Sequence, residues 1–173
     1  KAFRDYLAGH HITNVACDSY TLDWNRKTIT ITAYTDTKAQ NRLIDEYIEN
    51  CEKKGIGLAG YSDEQYPPQL RHLFNPPAVL YFKGNISCLN GTRTVTSVGT
   101  RKASQYGLNI TAKVCGELAA KNCVIVSGFA EGIDIVSNIS AADKNRPTAC
   151  VLGCGIEVDY PKPNLKFREK ILL

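Results

Sequence analysis

Val95-Thr96-Ser97-Val98-Gly99-Thr100-Arg101, Val124-Ile125-Val126-Ser127-Gly128-Phe129-Ala130-Glu131-Gly132-Ile133-Asp134 and Cys150-Val151-Leu152-Gly153-Cys154-Gly155 are the stretches whose reading decides the fold. Each is a short β-branched or apolar run that ends in a glycine turn, and the first two turns open into helix-like sequence. Three such turns on successive strands gather at one edge of a parallel sheet.

The intervening sequence supports that topology. Residues 93–98 read as a strand. Ser104 can cap a helix through about Lys121, with Leu108, Ala112, Cys115 and Leu118 on one face. Residues 123–127 read as a second strand, 131–143 as a second helix and 148–153 as a third strand. The alternation predicts an α/β domain with a Rossmann-like parallel sheet flanked by helices, its crossovers right-handed. Ligands of such sheets bind beyond the carboxyl ends of the strands, where all three glycine turns lie.

Upstream the pattern is less regular. Thr28-Ile29-Thr30-Ile31-Thr32-Ala33-Tyr34 alternates and reads locally as a strand, while Leu43, Ile44, Tyr47, Ile48 and Cys51 recur at helical spacing. That helix should end at Gly55, with Lys53 and Lys54 in its last turn. The expected organisation is a small, mainly helical N-terminal segment over residues 1–56 and a Rossmann-like domain over 57–173. Tyr66-Pro67-Pro68 and Asn75-Pro76-Pro77 bracket a connector, because proline excludes a continuous helix or central strand. Ala78-Val79-Leu80-Tyr81-Phe82 follows as an expected buried strand, and residues 87–91 as a polar loop.

Composition sets the class. The 173 residues are 43% hydrophobic and 22% charged, ordinary for a globular chain. No apolar run reaches the ~20 residues that span a bilayer. Lys1-Ala2-Phe3-Arg4-Asp5 carries no apolar leader core, so the expected compartment is the cytosol and no membrane partner is expected. The seven cysteines are scattered without metal-binding spacing and read as reduced thiols, most of them packing as small hydrophobes. Methionine is absent, which fits a fragment. The net charge of +4 is modest, but Arg101 and Lys102 lie in the first turn, and Lys162, Lys166, Arg168 and Lys170 follow the third.

A glycine between strand and helix lets the backbone approach a phosphate, and the first amides of the helix donate to it. Arg101 adds a fork of charge-assisted donors. No dinucleotide cofactor is expected, since Gly99 is followed by Thr100-Arg101-Lys102-Ala103-Ser104 rather than by the G-x-G-x-x-G spacing, and no acid closes the second strand to hold a ribose. A P-loop sequence is absent too. Glu131 must point away from any bound phosphate or meet a cation such as Lys102, and Asp134 is expected to cap or orient its own turn. Without a partnered histidine, serine or metal set, these two acids do not compose a hydrolase.

Taken together, residues 98–107, the Ser127 to Asp134 run, and Val151-Leu152-Gly153-Cys154-Gly155-Ile156-Glu157-Val158-Asp159-Tyr160-Pro161 with Asn164 resemble the DNA-processing protein A family (DprA, also called Smf). Tyr66-Pro67-Pro68-Gln69-Leu70 and residues 76–84 resemble that family's entry into its Rossmann-like domain, so the likeness runs from about Gly57 to Leu173. The chain departs from the family pattern at Thr100, Phe129 and Asn138, where serine, leucine and histidine are usual. It also stops before the family's later strands.

The resemblance implies a cytosolic bacterial protein that binds single-stranded DNA taken up in natural transformation, protects it and helps load the RecA recombinase. It implies binding without catalysis and no cofactor or metal, in a dimer formed partly through the C-terminal half that this chain lacks. By position, the phosphate-binding set is Gly99, Thr100, Arg101, Lys102, Gly128, Phe129, Ala130, Gly132, Asn164 and Lys166, with Lys162 a weaker member. Tyr106 or Phe129 could stack a base, although a core role suits Phe129 better. The alternative is a nucleotide phosphoribohydrolase of the lysine decarboxylase-like kind on a similar sheet; its Pro-Gly-Gly-x-Gly-Thr turn does not occur here.

Overall fold

The structure, a computed structural model, describes residues 17–23, 28–33 and 37–172, with side chains from Arg42 onward. Lys1 to Asp5, Tyr34 and Leu173 lie outside the described residues. The rest divides into two compact units, one reaching to Tyr66 and including 70–81, the other holding 67–69 and everything from Phe82 on.

In the first unit β1 (Cys17–Asp23) pairs antiparallel with β2 (Thr28–Ala33), Tyr20 opposite Ile31. Of the segment expected to be mainly helical, these residues are thus strands and α1 (Thr37–Lys53) is the helix. The end of α1 follows from its sequence. Gly55 takes φ +65, its N–H donates to Glu52 O at 2.9 Å, and Ile56 N–H donates to Cys51 O at 2.9 Å. That is a Schellman motif, and its apolar partners Cys51 and Ile56 are both buried.

β3 (Gly57–Gly60) pairs with β4 (Val79–Phe82) in a two-stranded sheet. Both strands lie within residues 57–173, yet β3 and most of β4 belong to the first unit. Instead of the fully buried strand expected from its apolar run, β4 leaves Tyr81 49% exposed, because β3 is its one partner among the described residues. The proline-bracketed connector folds into a 3-10 turn, Pro68–His72. Fully buried Tyr66 anchors it by donating to Pro77 O at 2.8 Å. Arg71 donates to Asp63 O at 2.8 Å, its guanidinium 5.9 and 5.7 Å from the Tyr61 and Tyr66 rings.

The second unit holds the parallel sheet. β5 (Arg93–Thr96), β6 (Cys123–Ser127) and β7 (Thr148–Cys150) run in the order β5-β6-β7, with Val95 opposite Ile125 and Ile125 opposite Thr148. α2 (Gln105–Ala120) and α3 (Ile133–Ala142) are the crossovers and pack against each other. Their shared core is Cys115, Ala119, Ile125 and Ala141, with Val95 and Leu118 against it. Small side chains at 115, 119 and 141 let the two helices and β6 approach closely.

Local signals set the boundaries. Ser104 caps α2, accepting Gly107 N–H at 3.2 Å. The expected loop at 87–91 begins inside a 3-10 turn, Ile86–Leu89, which Asn85 caps through Ser87 N–H at 3.0 Å. A last 3-10 turn, Lys162–Phe167, leads into the short α4 (Arg168–Leu172), which packs on α3.

Candidate nucleic-acid interface

Parallel register carries the ends of β5, β6 and β7 to one edge. Backbone bonds extend the ladder there: Ser97 N–H donates to Val126 O at 2.9 Å and Val151 N–H to Ser127 O at 2.8 Å. Three serines then stitch the first two turns together. Ser127 Oγ donates to Ser97 O at 2.5 Å, Ser97 Oγ lies 2.6 Å from Ser137 Oγ, and Ser137 Oγ donates to Ile133 O at 2.8 Å. With the Ser137 proton committed to Ile133, Ser97 is the donor to Ser137. The sequence reading missed this hydroxyl chain; serines closing two neighbouring strands were its one signal.

The first turn lies over the start of α3. A β-carbon on Gly99 would come 2.6 Å from Ile133 Cγ1. Ile133 N–H donates to Thr100 O at 3.2 Å, and Ile135 N–H to Ala130 O at 3.1 Å. Two of the first three amides of α3 are therefore consumed by loop carbonyls. The uncommitted donors lie in the loops: the N–H groups of Thr100, Arg101, Gly128, Phe129 and Ala130 meet no acceptor among the described residues.

Phe129 shapes the second loop. Its φ is +60, a left-handed value that costs a non-glycine residue about 1–3 kcal/mol. Successive amides around a left-handed residue converge on a concavity suited to an anion. Phe129 as a whole is 3% exposed, and its side chain belongs to the core. It is not a stacking surface, whereas Tyr106, on the first turn of α2, is 77% exposed.

Asn164 approaches the same loop from inside. It is 4% exposed, and its Nδ2 donates to Phe129 O at 2.8 Å. The side chain thus braces the loop. Arg101 and Lys102 are exposed and form no ion pair among the described residues, as is true of Lys162 and Lys166. Lys166 Nζ sits 4.9 Å from the Phe167 ring centroid. Arg168 and Lys170, grouped with these cations in the sequence, are committed: Arg168 pairs with Asp159 at 3.2 Å and Lys170 pairs with Asp143.

The acids are placed differently from one another. Glu131 is exposed and does not pair with Lys102. Asp134 is 8% exposed and packs against the second turn, its Oδ2 at 2.6 Å from where a Gly128 β-carbon would be. Burial, reinforced by the Asp134 charge, pushes the Cys150 thiol up to about 12. Cys51, Cys88, Cys115, Cys123, Cys150 and Cys154 are all free thiols. Asn138, where the family pattern has histidine, is fully buried and donates to Thr148 Oγ1 at 2.8 Å and Ala149 O at 3.2 Å, joining α3 to β7. Among the described residues no cluster of His, Cys, Asp and Glu could hold a metal ion, and no helix is long and apolar enough to cross a membrane.

The fold is shared with known proteins. The sequence profile of the family described as DNA recombination-mediator protein A matches residues 57–173. DNA processing protein DprA of Bacillus subtilis is 35% identical over 117 residues, 68% of this chain and 39% of that protein. DprA of Streptococcus pneumoniae is 36% identical over 109 residues, 63% of this chain and 38% of that protein. The chain thus spans about two fifths of the length of these relatives. The X-ray structure of Streptococcus pneumoniae DprA superposes with a TM-score of 0.63 at 30% identity, over 78% of this chain and 47% of that one. A Helicobacter pylori DprA structure, described for its single-stranded DNA binding mode, gives 0.58 at 30% identity over 66% of this chain and 51% of that one.

Proposed function

The chain belongs to the DNA recombination-mediator protein A family, the DprA/Smf proteins, and from that premise we propose that it binds single-stranded DNA by its backbone phosphates. One observation carries the reading. Five uncommitted loop amides share the carboxyl edge of the parallel sheet with Arg101 and Lys102, neither of which has an acid partner among the described residues.

In the bound state Arg101 forks onto phosphate oxygens, while the Thr100–Arg101 and Gly128–Ala130 amides take further oxygens. Lys102 and Lys166 supply field at the rim, and Gly99 and Gly132 allow the close approach of the loops behind the site. Nothing in that set reads a base edge, so binding is sequence-independent. Tyr106 offers a stacking face beside the first turn. At the level of the whole protein, the proposed role is to protect incoming DNA in natural transformation and to help load RecA. Dimerisation through sequence beyond this chain belongs to the same proposal.

The site binds and does not catalyse. Asp134 is packed into the second turn against Gly128 and Glu131 faces solvent, so Asp134 is read as bracing that turn and not as a general base. The test is a titration of this chain with single- and double-stranded oligonucleotides at two salt concentrations. Single strands should bind more tightly, with log affinity falling by roughly 0.7 per neutralised phosphate for each decade of salt. Salt-independent binding would sink the reading. Hydrolysis of a nucleoside monophosphate that is lost in Arg101→Ala would favour the enzyme alternative.

A further inference from the structure

Asn164 is one of the buried polar residues near the turns, and it is the one whose side chain bonds to the second loop from a distant segment. It reaches the Gly128–Ala130 loop through a single side-chain hydrogen bond among the described residues, Nδ2 to Phe129 O at 2.8 Å, across 35 residues of sequence. Its own backbone is held in turn, Asn164 N–H donating to Pro161 O at 3.1 Å, so the amide is presented from a fixed 3-10 turn. Phe129 is the residue of the loop with φ +60. The carbonyl that accepts from Asn164 therefore belongs to the residue whose conformation decides where the Phe129 and Ala130 amides point.

Resting on the DNA-binding reading above, we propose that Asn164 is a positioning residue for the phosphate site. It holds Phe129 left-handed by anchoring its carbonyl inward, and thereby turns the loop amides outward to an anion. It does not touch the nucleic acid. The chemistry supports this division: a side-chain amide 4% exposed and donating to a backbone carbonyl has little surface to offer a phosphate, while the amides it controls have no competing acceptor. An ionised aspartate at 164 has nearly the same shape but no donor, and two oxygens facing Phe129 O repel it. Without the anchor, the loop keeps the buried Phe129 side chain and the Ile135 N–H bond to Ala130 O but loses its hold on the Phe129 carbonyl, and Phe129 relaxes towards a right-handed or extended conformation.

The experiment combines affinity with the loop's own conformation. Asn164→Ala and Asn164→Asp are titrated with an oligothymidylate by fluorescence anisotropy, and the φ of Phe129 is read in the DNA-free proteins from its HN–Hα coupling and Cα shift. The expected result is about a tenfold loss of affinity in Asn164→Ala, a larger one in Asn164→Asp, and a Phe129 φ that leaves the left-handed region in both. Lost affinity with Phe129 still left-handed would make Asn164 a direct ligand and overturn the proposal. A relaxed Phe129 with affinity unchanged would also overturn it, leaving a purely structural bond. Should either variant fail to fold, the unmodified chain decides. On saturation with oligothymidylate the Gly128, Phe129 and Ala130 amides should shift, and the Asn164 side-chain protons should stay protected and unshifted; shifted Asn164 protons refute the inference. Absence of oligothymidylate binding by the unmodified chain refutes instead the function on which the inference rests.

Discussion

A β-carbon added to Gly132 would lie 2.7 Å from the carbonyl oxygen of Arg101. The first turn thus rests directly on the backbone that starts α3, and the position of Arg101 depends on glycine at 132. Gly132 also has φ 82 and ψ −125, a region closed to residues with side chains. Gly132→Ala is expected to cost at least about 1–3 kcal/mol from the backbone alone. Urea denaturation should show that loss, and DNA affinity should fall further than stability explains because the Arg101 turn is displaced. An alanine variant of native stability and affinity would refute the contact.

Arg101→Ala should weaken all single-stranded oligonucleotides about equally. The slope of log affinity against log salt should fall by roughly 0.7, as expected when one phosphate contact is lost. Lys170→Ala serves as the comparison, since Lys170 is engaged with Asp143, and its slope should match that of the unmodified chain. Loss confined to particular sequences would indicate base readout.

Tyr106→Ala should weaken binding by about 1–3 kcal/mol while Tyr106→Phe retains it, the signature of stacking on a ring. At 77% exposure the side chain contributes little to the core, so the melting temperature should stay within a degree or two of the original. Equal affinity for all three proteins would remove Tyr106 from the interface.

Stability should fall at alkaline pH through Cys150. Burial first, and the Asp134 charge second, raise this thiol from 9.0 to about 12. The folded state therefore holds the proton more tightly than the unfolded state. The stabilisation is complete below about pH 9 and is lost as pH rises towards 12, by at most about 1.4 kcal/mol per unit. Urea midpoints at pH 8 and 10 should separate more in the original protein than in Cys150→Ala. Native Cys150 should also resist alkylation at pH 8, since the thiolate is the nucleophile.

The alternation of strands and helices was legible because hydrophobic period and glycine placement are local properties. At Gly55 α1 ends through Gly55 N–H to Glu52 O and Ile56 N–H to Cys51 O, and Ser104 caps α2 through Gly107; each involves residues within five positions of one another. The N-terminal segment was less legible, since β1 and β2 satisfy each other in a ribbon that no single stretch announces. The strand expected over 148–153 ends at Cys150, and the helix expected from 131 starts at Ile133 after the unusual backbone of Gly132.

By itself the sequence determined the β-α-β-α-β order, the edge at which the glycine turns meet, and the presence of Arg101 and Lys102 there. Only the tertiary structure decided which polar groups remain free. It buried Phe129 and left its amide without an acceptor among the described residues, committed Arg168 and Lys170 to Asp159 and Asp143, and linked Ser97 to Ser127 and Ser137. It also set Asn164 beneath the second turn. The physical reason is that a hydrogen bond or ion pair satisfies a group only when its partner arrives in space, and these partners stand 9 to 40 residues apart in the chain.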